Sequence, residues 1–132
     1  MDLSVATDEV GSWSSEEIPA DDYLWMRVHR VDMENGEILP RGFKNRPTTK
    51  DGMSTDWDKY ATAQDTRNRG RIPQDNAVIR LNVAKAREIP DQTVVHTPDL
   101  ITSNRAHTDV LGPKHPQARI LLIRVAKIVI PL

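Results

Sequence analysis

Residues 23–31 read Tyr23-Leu24-Trp25-Met26-Arg27-Val28-His29-Arg30-Val31. Leu24, Met26 and Val28 point one way, while Tyr23, Trp25, Arg27 and His29 point the other. This period of two predicts a β-strand with one apolar face. Next, Asn35-Gly36 favours the positive φ angles of a tight turn. Residues 37–43 are therefore expected to return as the second strand of an N-terminal hairpin, interrupted at Pro40. Residues 77–83 (Ala-Val-Ile-Arg-Leu-Asn-Val) alternate in the same way, and residues 93–96 make a further short strand. Thr62 with Asp65 three residues on is a capping box, which predicts a helix over 63–69 ended by Gly70. Residues 84–88 allow one helical turn before Pro90, and residues 41–52 read as a loop. In residues 118–130 the apolar side chains fit one side of a helix, yet the β-branched content favours a strand, so both stay open. The mixture predicts an α+β fold: a mainly antiparallel sheet with an N-terminal hairpin and a few short helices.

The chain has 132 residues, enough for one ordinary domain. It has no cysteine, which excludes a disulfide framework or a Cys-based zinc site and fits a reducing, cytoplasmic setting. Residues 1–22 carry seven carboxylates (Asp2, Asp8, Glu9, Glu16, Glu17, Asp21 and Asp22) and no basic residue, leaving 18 basic and 12 acidic side chains in 23–132. This divides the chain into an acidic, flexible arm over 1–22 and a single globular domain over 23–132. The arm lacks the basic start and apolar run of a secretory signal, and no stretch has the length of a membrane span, so no membrane contact is expected.

Four groups of residues invite a chemical reading. Trp25, Arg27 and His29 share the polar face of the first strand, where an Arg offers forked hydrogen bonds to an anion and a Trp offers stacking. The competing reading is a solvated sheet face with Trp25 packed under a loop. Ser54 and Thr55 lie in Gly52-Met53-Ser54-Thr55-Asp56-Trp57-Asp58, a hydroxyl- and carboxylate-rich segment. Thr55 and Asp58 also have the spacing of a capping box, so the segment is expected more readily to begin a helix, with Trp57 and Tyr60 anchoring a loop. Arg67, Arg69 and Arg71, with Arg41, Lys44, Arg46 and Lys50, supply positive charge for phosphate contact, although no recognised nucleic-acid motif accompanies them. His96, His107 and His115, with Asp99 and Asp109 interspersed, could bind a metal in principle but match no standard ligand spacing, and a loop-ordering role suits His107 better. No phosphate loop, nucleophile elbow or dinucleotide fingerprint is present, and neither a metal nor a cofactor is called for.

Ser54-Thr55-Asp56-Trp57, Val94-Val95-His96-Thr97-Pro98 and Asn104-Arg105-Ala106-His107 resemble a pattern shared by small uncharacterised prokaryotic proteins, Ser-x-Asp-Trp, Val-Val-His-x-Pro and Asn-x-Ala-His. This resemblance covers about residues 23–130 and implies no activity. The chain is also similar to compact ADP-ribosyltransferase-like domains, which place an Arg or His on an early strand, then a Ser/Thr or Tyr strand, then an acidic residue. The similarity implies Arg27 or His29 for the first place and Ser54-Thr55 for the second. For the third, Glu88 is the only Glu after residue 37, and it sits just before Pro90 at no diagnostic spacing.

Three functions follow as expectations, the first the leading one and the others its alternatives. The first is a binding or accessory domain whose basic body contacts nucleic acid or another polyanion, modulated by the acidic arm, which is itself a surface for a protein partner. The second is a nucleotide-using enzyme of the ADP-ribosyltransferase kind, with Arg27, His29 and Ser54 lining its site. The third is an assembly subunit that packs through its apolar C-terminal segment.

Overall fold

The computed structural model describes residues 13–47 and 52–132. In chain order the elements are β1 (Tyr23–His29), β2 (Met33–Glu34), β3 (Glu37–Ile38), β4 (Met53–Trp57), α1 (Ala63–Asn68), β5 (Asn76–Asn82), α2 (Val83–Glu88), β6 (Thr93–His96), β7 (His107–Leu111), α3 (Pro116–Val125) and β8 (Lys127–Ile130). Six strands form one sheet in the order β6-β7-β4-β1-β5-β8, with every neighbouring pair antiparallel. Together with three short helices and a second, two-stranded sheet, this is an α+β fold. No helix of the described residues is long and apolar enough to cross a membrane.

The period of two in β1 becomes two chemically different faces. Leu24, Met26 and Val28 are buried and join Met53, Trp57, Ile79, Leu81 and Val110 in the core, which Ala118 and Leu122 of α3 complete. Trp57, Phe43 and Leu24 are among the largest fully buried side chains. Each such side chain stabilises the fold by roughly 1.5–3 kcal/mol relative to exposure. The opposite face carries Trp25 with its register partners Asp56 and Arg80, and Asp56 in turn lies beside His107.

Several expectations meet a different outcome. Asn35 and Gly36 do take left-handed φ values (52° and 77°), but the turn they make joins β2 to β3 in the separate sheet, with Met33 opposite Ile38. The expected N-terminal hairpin between residues 23–31 and 37–43 does not form. His29 ends β1 by accepting a hydrogen bond at Nδ1 from the Val31 N–H, and Arg30–Asp32 turn away as 3-10 helix. The partners of β1 are instead β4 and β5, both distant in sequence. Residues 53–57 are an inner strand, not the start of a helix: Thr55 Oγ1 donates to the Thr108 carbonyl across the ladder with β7. Sheet pairing outweighs the local capping pattern there. The C-terminal segment is helix and strand in succession, breaking at Ala126, whose backbone is extended (φ −70°, ψ 141°).

The boundary expected at residue 22 also moves. Residues 13–22 pack against the body: Ile18 is buried, Ser15 Oγ donates to the His96 carbonyl, and the Glu16 N–H donates to His96 Nδ1. The Glu16 carboxylate accepts from Lys59 Nζ at 2.7 Å and from the Tyr60 hydroxyl. Hydrogen bonds from Lys59 and Tyr60 hold its pKa below the ordinary carboxylate value. Asp22 accepts from Trp57 Nε1. Residues 1–12, the rest of the expected arm, lie outside the described residues, as does Lys50.

Candidate functional site

Strand β1 is laddered to β5 through all seven of its residues, from Tyr23↔Asn82 to His29↔Asn76. Its ladder with β4 comprises two pairs, Leu24↔Trp57 and Trp25↔Asp56. Beyond them β1 stays on β5, and β4 stays on β7 up to Met53↔Val110. The sheet therefore parts between its two central strands. A cavity of about 630 Å³ lies at this split, within the range of small-molecule sites. Residues 25–29 line one side and residues 53–56 the other.

On the β1 side, Trp25 Nε1 donates to the Ala61 carbonyl, fixing the indole under the chain that leads into α1. Arg27 donates from Nη1 to the Thr66 carbonyl of α1. Burial pulls the Arg27 pKa down, Asp56 opposes this, and the positive charge of Arg69 adds to the depression. Arg27 and Arg69 both line the cavity, and no carboxylate among the described residues forms an ion pair with either. Gly70 lets the chain close over them: a Cβ there would stand 2.5 Å from Asn76 Nδ2 and 3.2 Å from Arg27 Cδ. The capping box at Thr62 and Asp65 forms as expected and sets the direction of α1.

The β4 side carries Ser54 and Asp56. Asp56 is buried and accepts from Thr66 Oγ1 at 2.7 Å and Asn104 Nδ2 at 2.8 Å. Ser54 Oγ lies 2.9 Å from His107 Nε2. His107 Nδ1 lies 3.0 Å from both the carbonyl and the hydroxyl oxygen of Thr97. A carbonyl only accepts, so Nδ1 carries the hydrogen and Nε2 presents its lone pair to the serine hydroxyl. Arg46 Nη1 also reaches Nε2 at 3.2 Å, while its Nη2 donates to both Asp109 carboxylate oxygens at 2.8 and 3.0 Å. Thr97 Oγ1 donates to Asp109 as well.

All six residues singled out for ligand contact (Trp25, Arg27, His29, Ser54, Thr55 and His107) line this one cavity, as do Lys44, Arg46 and Arg69. Arg41, Arg67 and Arg71 do not. Most of the basic side chains are spoken for. Arg41 and Lys44 both bond Asp32, each at 3.1 Å, and Arg67 Nε donates to the Pro73 and Asn76 carbonyls. Arg71 is exposed.

The three histidines part company. His96 is buried between Trp57 and Tyr60, with Nε2 2.7 Å from the Arg105 carbonyl. His115 caps α3. No group of three metal-ligating side chains occurs among the described residues. Glu88 is exposed at the end of α2, away from the cavity, so the third place of the ADP-ribosyltransferase pattern is not filled by it.

Sequence reasoning missed Asn45, Thr97 and Asn104 as site residues and weighed Asp109 only as a candidate metal ligand. Asn45, which lines the cavity, has a buried Oδ1 with no hydrogen-bond partner among the described residues. Thr97 and Asn104 stood inside the quoted motifs, but nothing local marked them as supports for His107 and Asp56. No protein-family model, no curated protein and no solved structure matches the chain.

Proposed function

We propose that the chain binds a pyridine dinucleotide such as NAD in the cleft between β1 and β4 and catalyses transfer or hydrolysis of its ADP-ribosyl group. One observation carries this reading: Arg27 of β1 and Ser54 of β4 line opposite sides of a single cavity where the sheet parts. These are the residues that the resemblance to compact ADP-ribosyltransferase-like domains puts in its first two places. Two guanidiniums that form no carboxylate ion pair among the described residues, Arg27 and Arg69, suit a diphosphate, which accepts forked hydrogen bonds. Trp25 offers a ring at the wall.

Calorimetric titration with NAD, paired with chromatographic detection of released nicotinamide, tests the reading. Saturable heat and slow nicotinamide release are expected from the wild type. Arg27→Ala should weaken binding by about ten- to a hundredfold, the value of a charged hydrogen bond. A wild-type chain that gives neither heat nor nicotinamide removes the proposal.

The geometry gives less support to a basic body that meets nucleic acid, because Arg41, Lys44 and Arg46 are held by Asp32 and Asp109. The assembly reading rests on a different observation. Ile120, Ile128, Val129 and Leu132 are exposed along α3 and the edge strand β8. Sedimentation at high concentration tests it, and a strict monomer would rule it out.

A further inference from the structure

One wall of the cavity pairs a hydroxyl with an imidazole. Ser54 is half-buried at the cavity, and behind it stands His107, buried, with the one lone pair of Nε2 shared between the serine hydroxyl at 2.9 Å and Arg46 Nη1 at 3.2 Å. The imidazole is not free to turn. Its Nδ1–H is held by the Thr97 carbonyl, and the Thr97 hydroxyl is held in turn by Asp109. A serine hydroxyl backed by an oriented imidazole is an arrangement for moving a proton.

We propose that Ser54 and His107 form a proton relay that activates the nucleophile, with His107 Nε2 as the terminal acceptor and Thr97 as its positioning residue. The inference rests on the NAD reading of the cavity and adds which groups carry the proton. The incoming water or acceptor hydroxyl gives its proton to Ser54 Oγ while Ser54 gives its own to His107 Nε2. The nucleophile's oxygen bonds to the anomeric carbon of the nicotinamide-bearing ribose. The carbon–nitrogen glycosidic bond breaks, its electron pair stays on the ring nitrogen, and nicotinamide leaves uncharged. Serine ends as it began, and the imidazolium returns its proton to water before the next cycle. No oxidant or reductant enters.

Arg46 has a defined part in this exchange. At rest its Nη1 donates to Nε2, and that contact is given up when Nε2 gains a hydrogen. Its Nη2 stays forked on Asp109, so the guanidinium keeps its anchor throughout. The Asp109 carboxylate, one hydroxyl away from Nδ1, sits on the side where the imidazolium charge develops.

The test compares Ser54→Ala, His107→Asn and the double variant in the full chain, by nicotinamide release and by calorimetric NAD affinity. The relay predicts that each single change lowers kcat by about 10²–10³-fold, the usual worth of positioned acid–base catalysis, with NAD affinity retained. The double variant should be no slower than the worse single, because the two groups act as one unit. Added imidazole should restore part of the rate to His107→Ala and none to Ser54→Ala.

A His107→Asn chain that binds NAD and keeps its kcat overturns the relay while leaving the dinucleotide reading intact. So does ADP-ribose found covalently on Ser54 by mass spectrometry, which would make serine the nucleophile. A wild-type chain that does not bind NAD overturns both. Should His107→Asn fail to fold, Ser54→Ala decides alone, since it removes one side-chain hydrogen bond at a half-buried position.

Discussion

The two edges of β1 behave as two different structures. Toward β5 the strand pairs through its whole length, and toward β4 it pairs at Leu24 and Trp25 and then lets go. The paired edge and the apolar face make the stability. The open edge sacrifices ladder bonds, and Arg27 and Ser54 line the cavity in the space gained. One strand thus anchors the core with its even-numbered residues and faces the cleft with Trp25 and Arg27. The lesson is that a cleft can arise inside a sheet by parting two central strands, without a second domain.

Substitutions on the two edges break this comparison in graded steps. The largest effect is expected from Leu81→Ala, which empties a fully buried site opposite Leu24 on the paired edge. It should cost about 2–5 kcal/mol in urea unfolding. A cost under about 1 kcal/mol would mean that the paired edge does not hold the fold.

Asp56→Ala, at the point where the strands part, comes next. It strands the Thr66 hydroxyl and the Asn104 amide and should cost roughly 1–3 kcal/mol by the same measurement. Arg27→Ala, on the open side, removes one bond to a backbone carbonyl and should cost only about 0.5–1.5 kcal/mol while weakening dinucleotide binding by about ten- to a hundredfold. Equal losses for Leu81→Ala and Arg27→Ala would erase the distinction between the edges.

A pH control lies away from the cleft. Lys114 is buried, with Nζ donating to the Val110 and Gly112 carbonyls, and burial lowers its pKa from 10.5 to about 8. Between those two values the unfolded chain keeps a proton that the folded chain has released, so raising the pH through this window favours the folded state. The stability of the wild type relative to Lys114→Met should therefore rise from pH 8 toward 10.5. A difference that stays flat or falls contradicts this account of Lys114.

What the sequence made legible was local. The alternation of β1 and β5 and the Thr62–Asp65 capping box each act over a few residues, and each formed where the pattern lay. Pairing partners were not legible. The Asn35-Gly36 turn reads as a hairpin with β1 until the 3-10 turn at Arg30–Asp32 is seen to intervene. Thr55 and Asp58 have helix-cap spacing, yet the ladder to Thr108, 53 residues away, decides the conformation. The docking of Glu16 on Lys59 and Tyr60 is hidden for the same reason, as one carboxylate among seven in an acidic stretch has no mark of its own.

The site was legible as a set of residue types but not as a geometry. The polar face of β1 names Trp25, Arg27 and His29 directly. Ser54 and His107 stand 53 residues apart, and nothing in the sequence brings them to 2.9 Å. Net charge was the least informative quantity, because it counts Arg41 and Lys44 as available although both are held on the buried Asp32.

The most direct test of the cleft is an NMR titration of the isotopically labelled chain with NAD. The account predicts saturable shifts of the backbone amides of residues 25–29 and 53–56 and of His107, with the paired amides of residues 79–82 little changed. Absence of any shift, or shifts gathered instead around Arg67 and Arg71, would contradict it.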